Sequence, residues 1–317
     1  MTWPELNALL RKHQSFLISS HLSLDGDSVG SQLAFAWYLQ SLGKRVAIFD
    51  LDPVPRKLQF LQGVSSFTSQ KPAEQFDVLA ILDCSNPDRL GWEGISAIAP
   101  VSLNIDHHRD NTRFANHNIV GDRSAATAEL LYDFFSHMEI KYPPAVAEAL
   151  YAAVLTDTGG FRFSNTSTHI FQIAADLSRQ GVNCSRIYQQ IYDSHSQAGM
   201  MLWSRIWSSL QFHLNGKVCS IDLPLDVIDQ LGASRSDCEG MADFTIMADG
   251  VEIGMFIKYQ GEQTHFSLRS RGRIDVGKIA HSVSGGGGHS SAAGCTIHLP
   301  FAQAKEKMLA LIARELG

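Results

Sequence analysis

The chain has 317 residues, of which 44% are hydrophobic and 18% are charged, and its formal net charge is −6. This length exceeds that of most single domains, so we expect two domains with separate cores. The negative net charge disfavours a long contact with duplex nucleic acid, which needs many Lys and Arg side chains, but it is compatible with a small anionic substrate.

Membrane insertion and a disulfide framework are both disfavoured. The chain has no run of about 18 apolar residues, and its first residues lack the apolar core and cleavage site of a secretory signal. We therefore expect no membrane association and a cytoplasmic location. The five cysteines are odd in number, widely spaced and without a CxxC pair, which argues against disulfides and a thiolate zinc site.

The first half of the chain alternates short apolar runs with helical patterns. The runs that predict strands buried on both faces are residues 16–20, 45–50, 77–83 and 101–106. The helical patterns cover residues 28–42, 124–137 and 144–155. The alternation predicts an α/β domain with a parallel sheet and flanking helices, and in such sheets ligands bind at the carboxyl ends of the strands.

The second half changes character twice. Residues 168–215 show mostly helical patterns, and strand-like runs return from residue 217 as KVCSIDL, DFTIMA, VEIGMFIKY and THFSLRS. A helix near 275–282, a glycine run, the strand CTIHL and a helix over 301–315 follow. We expect a catalytic domain over 1–185, a helical linker over 186–215 and a smaller α+β domain over 216–317.

Aspartate and histidine recur at the ends of predicted strands. In chain order, FLISS leads to His21, Asp25 and Asp27, DVLAIL to Asp83, VSLNI to Asp106, His107 and His108, and AAVLT to Asp157. Strand ends of a parallel sheet meet at one edge, so these side chains could converge. Carboxylates and neutral imidazoles suit Mn²⁺ or Mg²⁺, and Mn²⁺ tolerates the mixture better.

Each of these acids taken alone has an ordinary structural explanation. Asp25, Asp27 and Ser28 precede a helical pattern, where such residues commonly cap the helix. Asp157 could cap the turn before Gly159. Because four segments share the same position relative to predicted strands, a joint metal site explains them better than four separate coincidences.

These segments, in this order, resemble the DHH phosphoesterase superfamily. The resemblance is carried by HLSLDGDSVGS, LDCSNPDRLG, NIDHHRDN, AATAELLYD and VLTDTGGFRFSNTS. The C-terminal SLRSRGRIDVGKIA and GGGGHSSAAG look like the DHHA1 domain that accompanies this family, so the resemblance spans nearly the whole chain. Leu24 stands where many members carry Pro.

The resemblance implies two metal ions, expected to be Mn²⁺ with Mg²⁺ or Co²⁺ as alternatives. The implied ligands of the first ion are His21, Asp25 and Asp83, and those of the second are Asp27, Asp83, His107 and Asp157. Asp83 would bridge the two ions. Asp106 would orient a histidine, and His108 would face the phosphate as an electrophile or a general acid.

The C-terminal motifs are expected to bind substrate. We expect the glycine run, with Gly286, Gly287, Gly288 and His289, to bring backbone N–H groups close to a phosphate, although a flexible turn is the alternative. It is not a nucleotide P-loop, because His stands where that motif requires Lys.

The resemblance also favours Arg269, with Ser267 and Ser270 nearby, as the group that grips a phosphate or a base. Arg suits bidentate phosphate recognition. Solvated surface charge is the alternative explanation for this arginine.

By analogy within the family, the chain is similar to the short-oligonucleotide nuclease and 3′-phosphoadenosine-5′-phosphate phosphatase group. The implied reaction is hydrolysis of single-stranded oligonucleotides of about 2–5 nucleotides, including pGpG, to mononucleotides, and of 3′-phosphoadenosine-5′-phosphate to AMP. The alternatives are a cyclic-dinucleotide phosphodiesterase, a family II-like pyrophosphatase and a non-catalytic nucleotide sensor. The sequence does not determine whether the protein forms a homodimer, whether it prefers RNA or DNA, or which metal is native.

Overall fold

The computed structural model describes residues 1–283 and 285–317. It divides the chain into two compact units, Met1–Ser194 and His195–Gly317. The division falls inside the segment 186–215 that was expected to be a linker. None of the helices in the described ranges combines the length and the apolar character needed to cross a bilayer.

The first unit is built on a six-stranded parallel sheet. Its strands are β1 (Ser15–Ser19), β2 (Arg45–Phe49), β3 (Phe67–Thr68), β4 (Val78–Leu82), β5 (Val101–Asp106) and β6 (His117–Val120). Their order across the sheet is β3-β2-β1-β4-β5-β6, with each neighbouring pair parallel. The order reverses direction between β1 and β4, which is where doubly wound sheets open a crevice at the carboxyl ends of their strands.

Six helices accompany this sheet. They are α1 (Trp3–Lys12), α2 (Gly26–Ser41), α3 (Thr127–His137), α4 (Pro144–Asp157), α5 (Thr168–Arg179) and α6 (Cys184–Tyr192). Helices α2 and α4 are buried along most of their length and share one hydrophobic core with β1, β4 and β5. They pack closely because Gly26 and Gly30 of α2 lie directly against Thr156 and Ala149 of α4.

Two expectations for residues 152–156 conflict. The helical pattern over 144–155 is confirmed by α4, whereas the description of AAVLT as a strand end is wrong, because this run forms the last turns of α4 and Asp157 therefore reaches the site from a helix C-terminus. Alanine favours helix, and an apolar run that is buried on all sides of a helix cannot be distinguished from a buried strand by its periodicity.

The second unit contains a mixed sheet. Its strands are β7 (Gln211–His213), β8 (Val218–Pro224), β9 (Ile253–Gln260), β10 (Gln263–Ser270), β11 (Gly287–Gly288) and β12 (Ala292–Ile297), in the spatial order β11-β12-β10-β9-β8-β7. Strands β8 and β9 are parallel, and the other pairs are antiparallel. The helices are α7 (Gln197–Trp207), α8 (Asp226–Gln230), α9 (Met241–Phe244), α10 (Val276–His281) and α11 (Phe301–Leu316).

The strand expected over DFTIMA is also wrong, because these residues form α9 and the turn after it. Gly240 begins the helix in a left-handed conformation, with φ of 76°. Thr245 then packs against Gly254 of β9, where a Cβ would lie 1.9 Å from its hydroxyl oxygen. The apolar run therefore covers the sheet rather than joining it.

Candidate metal centre

The loop between β1 and α2 delivers the first candidate ligands to the carboxyl edge of the sheet. Asp25 is the N-cap of α2: its Oδ1 accepts the Ser28 backbone N–H at 2.9 Å, and Ser28 Oγ accepts the Asp25 N–H at 2.8 Å. The other oxygen, Oδ2, lies 3.6 Å from His21 Nε2. Asp25 thus caps the helix with one oxygen and faces His21 with the other.

Asp27 is fully buried in the first turn of α2. Its carboxylate accepts the backbone N–H groups of Thr127 at 2.5 Å and Ala128 at 2.9 Å, at the start of α3. The positive end of a helix stabilises a carboxylate in this position. His107 Nε2 lies 3.9 Å from Asp27 Oδ2, so the aspartate that anchors α3 also faces the candidate site.

Asp83 occupies the centre of the arrangement, directly after β4. Its backbone adopts the left-handed region with φ of 55°, which Asp tolerates better than most residues. Its Oδ2 lies 3.4 Å from His21 Nε2, and its Oδ1 lies 3.5 Å from His107 Nε2. Each oxygen therefore faces a different histidine.

Two three-residue groups that share no member result, each with ligand atoms that lie within 4.8 Å of one another. The first group contains His21, Asp25 and Asp83, and the second contains Asp27, His107 and Asp157. Asp83 and His107, one from each group, also form such a group with His108. Asp157 Oδ2 lies 3.1 Å from His107 Nε2. Adjacent ligands around a cation at about 2.1 Å are separated by about 3 Å, so these spacings suit a divalent ion in either group.

The two histidines are held in the orientation that metal ligation requires. His21 Nδ1 lies 2.7 Å from the Leu22 carbonyl oxygen, and His107 Nδ1 lies 3.3 Å from the Ser124 carbonyl oxygen. A carbonyl accepts, so in both rings Nδ1–H donates, and Nε2 is the nitrogen that faces the carboxylates and is placed to bind a metal ion once its proton is lost. The donor set and its orientation therefore fit a metal centre, and the clusters could hold metal ions.

The electrostatic environment is dominated by the carboxylates. Burial lowers the pKa of His21, but hydrogen bonding with Asp25 and Asp83 outweighs burial and raises that pKa to about 11. Burial likewise opposes the contacts of His107 with Asp157 and Asp83, which raise its pKa to about 12. A field that holds protons this firmly also favours cations in their place.

His108 is oriented differently from the other two histidines. Its Nδ1 lies 2.7 Å from Asp106 Oδ1, so this nitrogen donates to the buried carboxylate and Nε2 points away from it. Asn111 donates to the other Asp106 oxygen at 2.5 Å and to Asn104 Oδ1 at 2.8 Å. Asp106 therefore orients His108 and is itself held by an amide.

Sequence reasoning missed three polar residues that support this site. Thr127 Oγ1 donates to Asp83 Oδ1 at 3.2 Å, and Asn104 and Asn111 connect Asp106 to the backbone carbonyl of Cys84. All three lie inside or beside motifs that carried the resemblance. Their positions in NIDHHRDN and AATAELLYD indicated that they lie near the site, but not which groups they contact.

In the second unit, the expected substrate residues fall on two faces of one strand. Ser267 and Arg269 lie on the partly exposed face of β10, whereas Ser270 points to the buried face and its Oγ accepts the Gly272 N–H at 3.1 Å. Arg269 forms an ion pair with Asp243. The structure thus groups Ser267 with Arg269 and separates Ser270 from them.

The last two residues of the glycine run, Gly287 and Gly288, form the edge strand β11 of the same sheet. The register places Ser267, Gly294 and Gly287 side by side across β10, β12 and β11. Gly286 N–H donates to the Val283 carbonyl at 3.0 Å and His289 N–H to the Ala292 carbonyl at 2.8 Å. These two amides are therefore used within the unit.

Glycine is required in this run for steric reasons. A Cβ at Gly286 would lie 2.1 Å from the Ala280 carbonyl oxygen, and Gly288 has φ of 138°. The run therefore packs tightly against α10 and β12.

Comparison with known proteins gives relatives along the whole chain. The bifunctional oligoribonuclease and PAP phosphatase NrnA of Thermus thermophilus is 30% identical over 303 residues, which cover 94% of this chain and 89% of that protein. A crystal structure of an exopolyphosphatase-related protein from Bacteroides fragilis has a TM-score of 0.91 at 24% identity and covers 99% of this chain and 95% of its own. RecJ from Thermus thermophilus, solved in complex with Mn²⁺, has a TM-score of 0.53 at 14% identity, covering 98% of this chain and 55% of RecJ.

The domain matches follow the two parts of the chain. The DHH family N-terminal domain matches residues 15–154, which carry all but one of the candidate ligands, and the DHHA1 domain matches residues 215–317. The two structural likenesses, both under 25% identity, agree with the fold. Because the Thermus relative also aligns over nearly the full length of both proteins, the chain belongs to the DHH family and contains a DHH N-terminal domain and a DHHA1 domain.

Proposed function

We propose that this chain is a metal-dependent phosphodiesterase and exoribonuclease that hydrolyses oligonucleotides of two to about five nucleotides, including pGpG, to mononucleotides. It also removes the 3′-phosphate of 3′-phosphoadenosine-5′-phosphate to give AMP. The observation that carries this proposal is the convergence of two His and four Asp side chains on one sheet edge, with Asp83 between the two groups.

Two metal ions, Mn²⁺ in preference to Mg²⁺ or Co²⁺, are the proposed cofactors. One would be held by His21, Asp25 and Asp83, and the other by Asp27, Asp83, His107 and Asp157. A mixed imidazole and carboxylate donor set supports Mn²⁺, and the Mn²⁺ complex of RecJ supports a divalent metal ion in this fold. Such ions supply Lewis acidity that neutralises phosphate oxygens and makes water a better nucleophile.

His108 is proposed to act on the phosphate through its Nε2. Burial lowers the pKa of His108, but the contacts with Asp106 and Asp83 raise it by more, so its net pKa is raised. A raised pKa favours the protonated ring, whose Nε2–H can donate to a phosphate oxygen or to the leaving oxygen. Asp106 would keep Nδ1 occupied so that Nε2 remains available.

Direct attack by water is the proposed chemistry. The thiol nearest to the candidate ligands in sequence is Cys84, which is fully buried. Burial raises its pKa to about 12, which leaves the thiol protonated and weakly nucleophilic. A covalent enzyme intermediate at this residue is therefore disfavoured, which supports attack by water at the proposed metal site.

The substrate class rests on the Thermus relative, which is named an oligoribonuclease and PAP phosphatase. Short single-stranded oligonucleotides and small nucleotides are the proposed partners. Arg269, Ser267, Gly286, Gly287, Gly288 and His289 are the proposed substrate-binding residues of the DHHA1 domain. Ser270 is also proposed, but because its side chain lies on the buried face of β10, its proposed role is to support the strand that carries Arg269.

A comparison of rates over a substrate panel tests this function. With Mn²⁺ present, the panel contains RNAs and DNAs of two to ten nucleotides, pGpG, cyclic dinucleotides, 3′-phosphoadenosine-5′-phosphate and pyrophosphate. We expect the highest kcat/KM on linear di- to pentanucleotides and measurable release of phosphate from 3′-phosphoadenosine-5′-phosphate. Faster turnover of cyclic dinucleotides or pyrophosphate, or binding of nucleotides without turnover, would contradict the proposal.

A further inference from the structure

A group of aromatic side chains surrounds the turn that follows Asp157. We call it the aromatic patch and define it as Phe161, Phe163, Phe171, Tyr188 and Tyr192. Phe161 and Phe171 are stacked with ring centroids 5.6 Å apart, and Tyr188 and Tyr192 are 4.9 Å apart. The patch draws on three elements: the turn itself, α5 and α6.

The patch is attached directly to the end of α4 that carries Asp157. Tyr192 donates through its hydroxyl to the Leu155 carbonyl at 3.2 Å, and Asn165, in the same turn, donates to the Asp157 carbonyl at 3.0 Å. Phe163 N–H donates to the Thr158 carbonyl at 2.9 Å. These hydrogen bonds therefore attach the patch to the residues next to Asp157, a candidate metal ligand.

The backbone of the turn is shaped to present these rings. Gly159, Gly160 and Phe161 follow one another with φ of 58°, 73° and 64°. Such a run in the left-handed region is costly for Phe161 and persists only where the surroundings enforce it. The ring of Phe163 lies over Gly159, where a Cβ would come within 2.5 Å of ring carbon Cζ, so glycine is needed for Phe163 to occupy this place.

Several of these rings are exposed, although large apolar groups are usually buried. Phe163 is 43% exposed, Tyr188 44% and Phe171 56%. The guanidinium of Arg162 lies over the Phe163 ring, 5.3 Å from its centroid, and adds positive charge to the patch. An exposed aromatic surface with a cation beside it suits a flat aromatic group attached to a phosphate.

We propose that the aromatic patch is a stacking platform for one nucleobase of the substrate, with Phe163 as its main ring. This inference rests on the proposed function, because the platform would bind the base of the nucleotide whose phosphate the metal centre would hold. Stacking does not read base identity, since every base offers a π-face. The platform would therefore let the enzyme accept short oligonucleotides of any sequence.

The test compares Phe163→Ala with wild type on a 5′-phosphorylated diadenylate and on two analogues, each lacking one of the two bases. Loss of one stacked base is expected to lower kcat/KM for the diadenylate by about 5- to 150-fold. On the analogue that lacks the stacked base, the variant should match wild type. That analogue identifies which nucleotide occupies the platform.

Two replacements separate stacking from packing. Phe163→Trp should restore activity toward the diadenylate, whereas Phe163→Leu, which keeps an apolar side chain without a π-face, should remain impaired. The matched control is Phe212→Ala: Phe212 is 52% exposed and lies on β7, at the opposite edge of its sheet from β11, and its loss should leave kcat/KM unchanged.

If Phe163→Ala lowered kcat/KM equally on all three substrates, or lowered it on none of them, the platform would be overturned. If wild type does not cleave the diadenylate, the proposed function fails. Binding measured by calorimetry then tests the platform independently of turnover. With Mn²⁺ present, wild type should bind AMP more tightly than ribose 5-phosphate, and Phe163→Ala should remove that difference. Equal binding of the two ligands by wild type would also overturn the platform.

Discussion

Asp83 connects the two groups of candidate ligands because its oxygens face different histidines. One oxygen lies 3.4 Å from His21 Nε2, and the other lies 3.5 Å from His107 Nε2. The contacts with His107 and His21 outweigh burial and hold the Asp83 pKa well below its usual range. This carboxylate therefore stays ionised at neutral pH, which the proposed role of a ligand to both metal ions would require.

Replacing Asp83 with Ala should reduce metal content at both positions and remove most activity. Both ions would lose a ligand at once, and His21 and His107 would lose the carboxylate between them. Metal per chain, measured by atomic emission after dialysis, and kcat on a dinucleotide check this outcome. The control is Asp77→Ala, at the other end of β4, which should leave metal content unchanged. Normal stoichiometry in Asp83→Ala would contradict the bridging role.

Arg269 offers a residue-scale test of substrate binding in the second unit. Arg269→Ala should lower kcat/KM by about 30-fold or more, as expected when a partner of a desolvated charge pair is lost. Metal content should not change, because the candidate ligands belong to the first unit. Arg273→Ala, at a strongly exposed arginine, serves as the control for lost surface charge.

The ion pair of Arg269 with Asp243 allows a structural role to be separated from substrate binding. If Arg269 only holds Asp243, then Asp243→Ala should reduce activity as much as Arg269→Ala does. If Arg269 binds substrate, Asp243→Ala should retain most of the activity. Equal losses in the two variants, measured as kcat/KM on the same dinucleotide, would rule out substrate contact.

At the scale of elements, the close approach of α2 and α4 sets the distance between candidate ligands. Asp25 and Asp27 lie at the start of α2, and Asp157 ends α4. The approach depends on glycine, since a Cβ at Gly30 would lie 2.4 Å from the Ala149 carbonyl oxygen. A main-chain atom cannot move aside as a flexible side chain can.

Gly30→Ala should therefore destabilise the protein and weaken metal binding together. Overpacking of this kind costs about 1–3 kcal/mol, although Gly to Ala in a helix otherwise gains up to about 1 kcal/mol. Urea unfolding and Mn²⁺ titration calorimetry measure the two effects. Gln40→Ala, at an exposed position of the same helix, should change neither. Unaltered Mn²⁺ affinity in Gly30→Ala would contradict the spacing argument.

The parallel sheet was predictable because β1, β4 and β5 are short apolar runs buried on both faces. The convergence of Asp25 and Asp83 followed from the same logic, since parallel strands deliver their ends to one edge. The contact of Thr127 with Asp83 was not predictable, because 44 residues separate them and only the packing of α3 joins them. Strand β6 was missed because HNIV is too short and polar to stand out.

Helices α3 and α5 are joined by a pair that responds to pH. His169 Nε2 lies 2.8 Å from Asp133 Oδ1. Burial lowers the pKa of His169, but the hydrogen bond and charge of Asp133, together with the charge of Glu129, raise it by more. A raised pKa means that the pair stabilises the fold fully below pH about 6.5 and loses this contribution as pH rises through the folded pKa.

His169→Gln should therefore cost more stability at pH 6 than at pH 9. The difference should stay below about 1 kcal/mol, because the pair is partly exposed to solvent. Thermal unfolding of wild type and variant at the two pH values measures it. Asp133→Asn should remove the same pH-dependent part. A deficit in Tm that is equal at both pH values would show that the pair contributes no charge-dependent stability.

For the whole molecule, the two units have separate hydrophobic cores. The core around α2 and α4 belongs to the first unit, and the core around β9, β10 and α11 belongs to the second. All the candidate metal ligands lie in the first. The second contains a buried ion pair between Lys305 and Asp222, with Nζ and Oδ2 2.6 Å apart. Each core therefore has its own source of stability that can be altered separately.

Calorimetric unfolding should show two transitions that respond to different changes. Mn²⁺ at about 100 times its Kd should stabilise the first unit by about 2.7 kcal/mol for each bound ion and raise only its transition. Lys305→Ala leaves Asp222 buried and unpaired, so it should lower only the second transition, by about 3–5 kcal/mol. Chelation with EDTA should reverse the Mn²⁺-induced rise of the first transition in both wild type and Lys305→Ala. A single transition that moves with both changes would mean that the two cores unfold as one unit, contrary to this expectation.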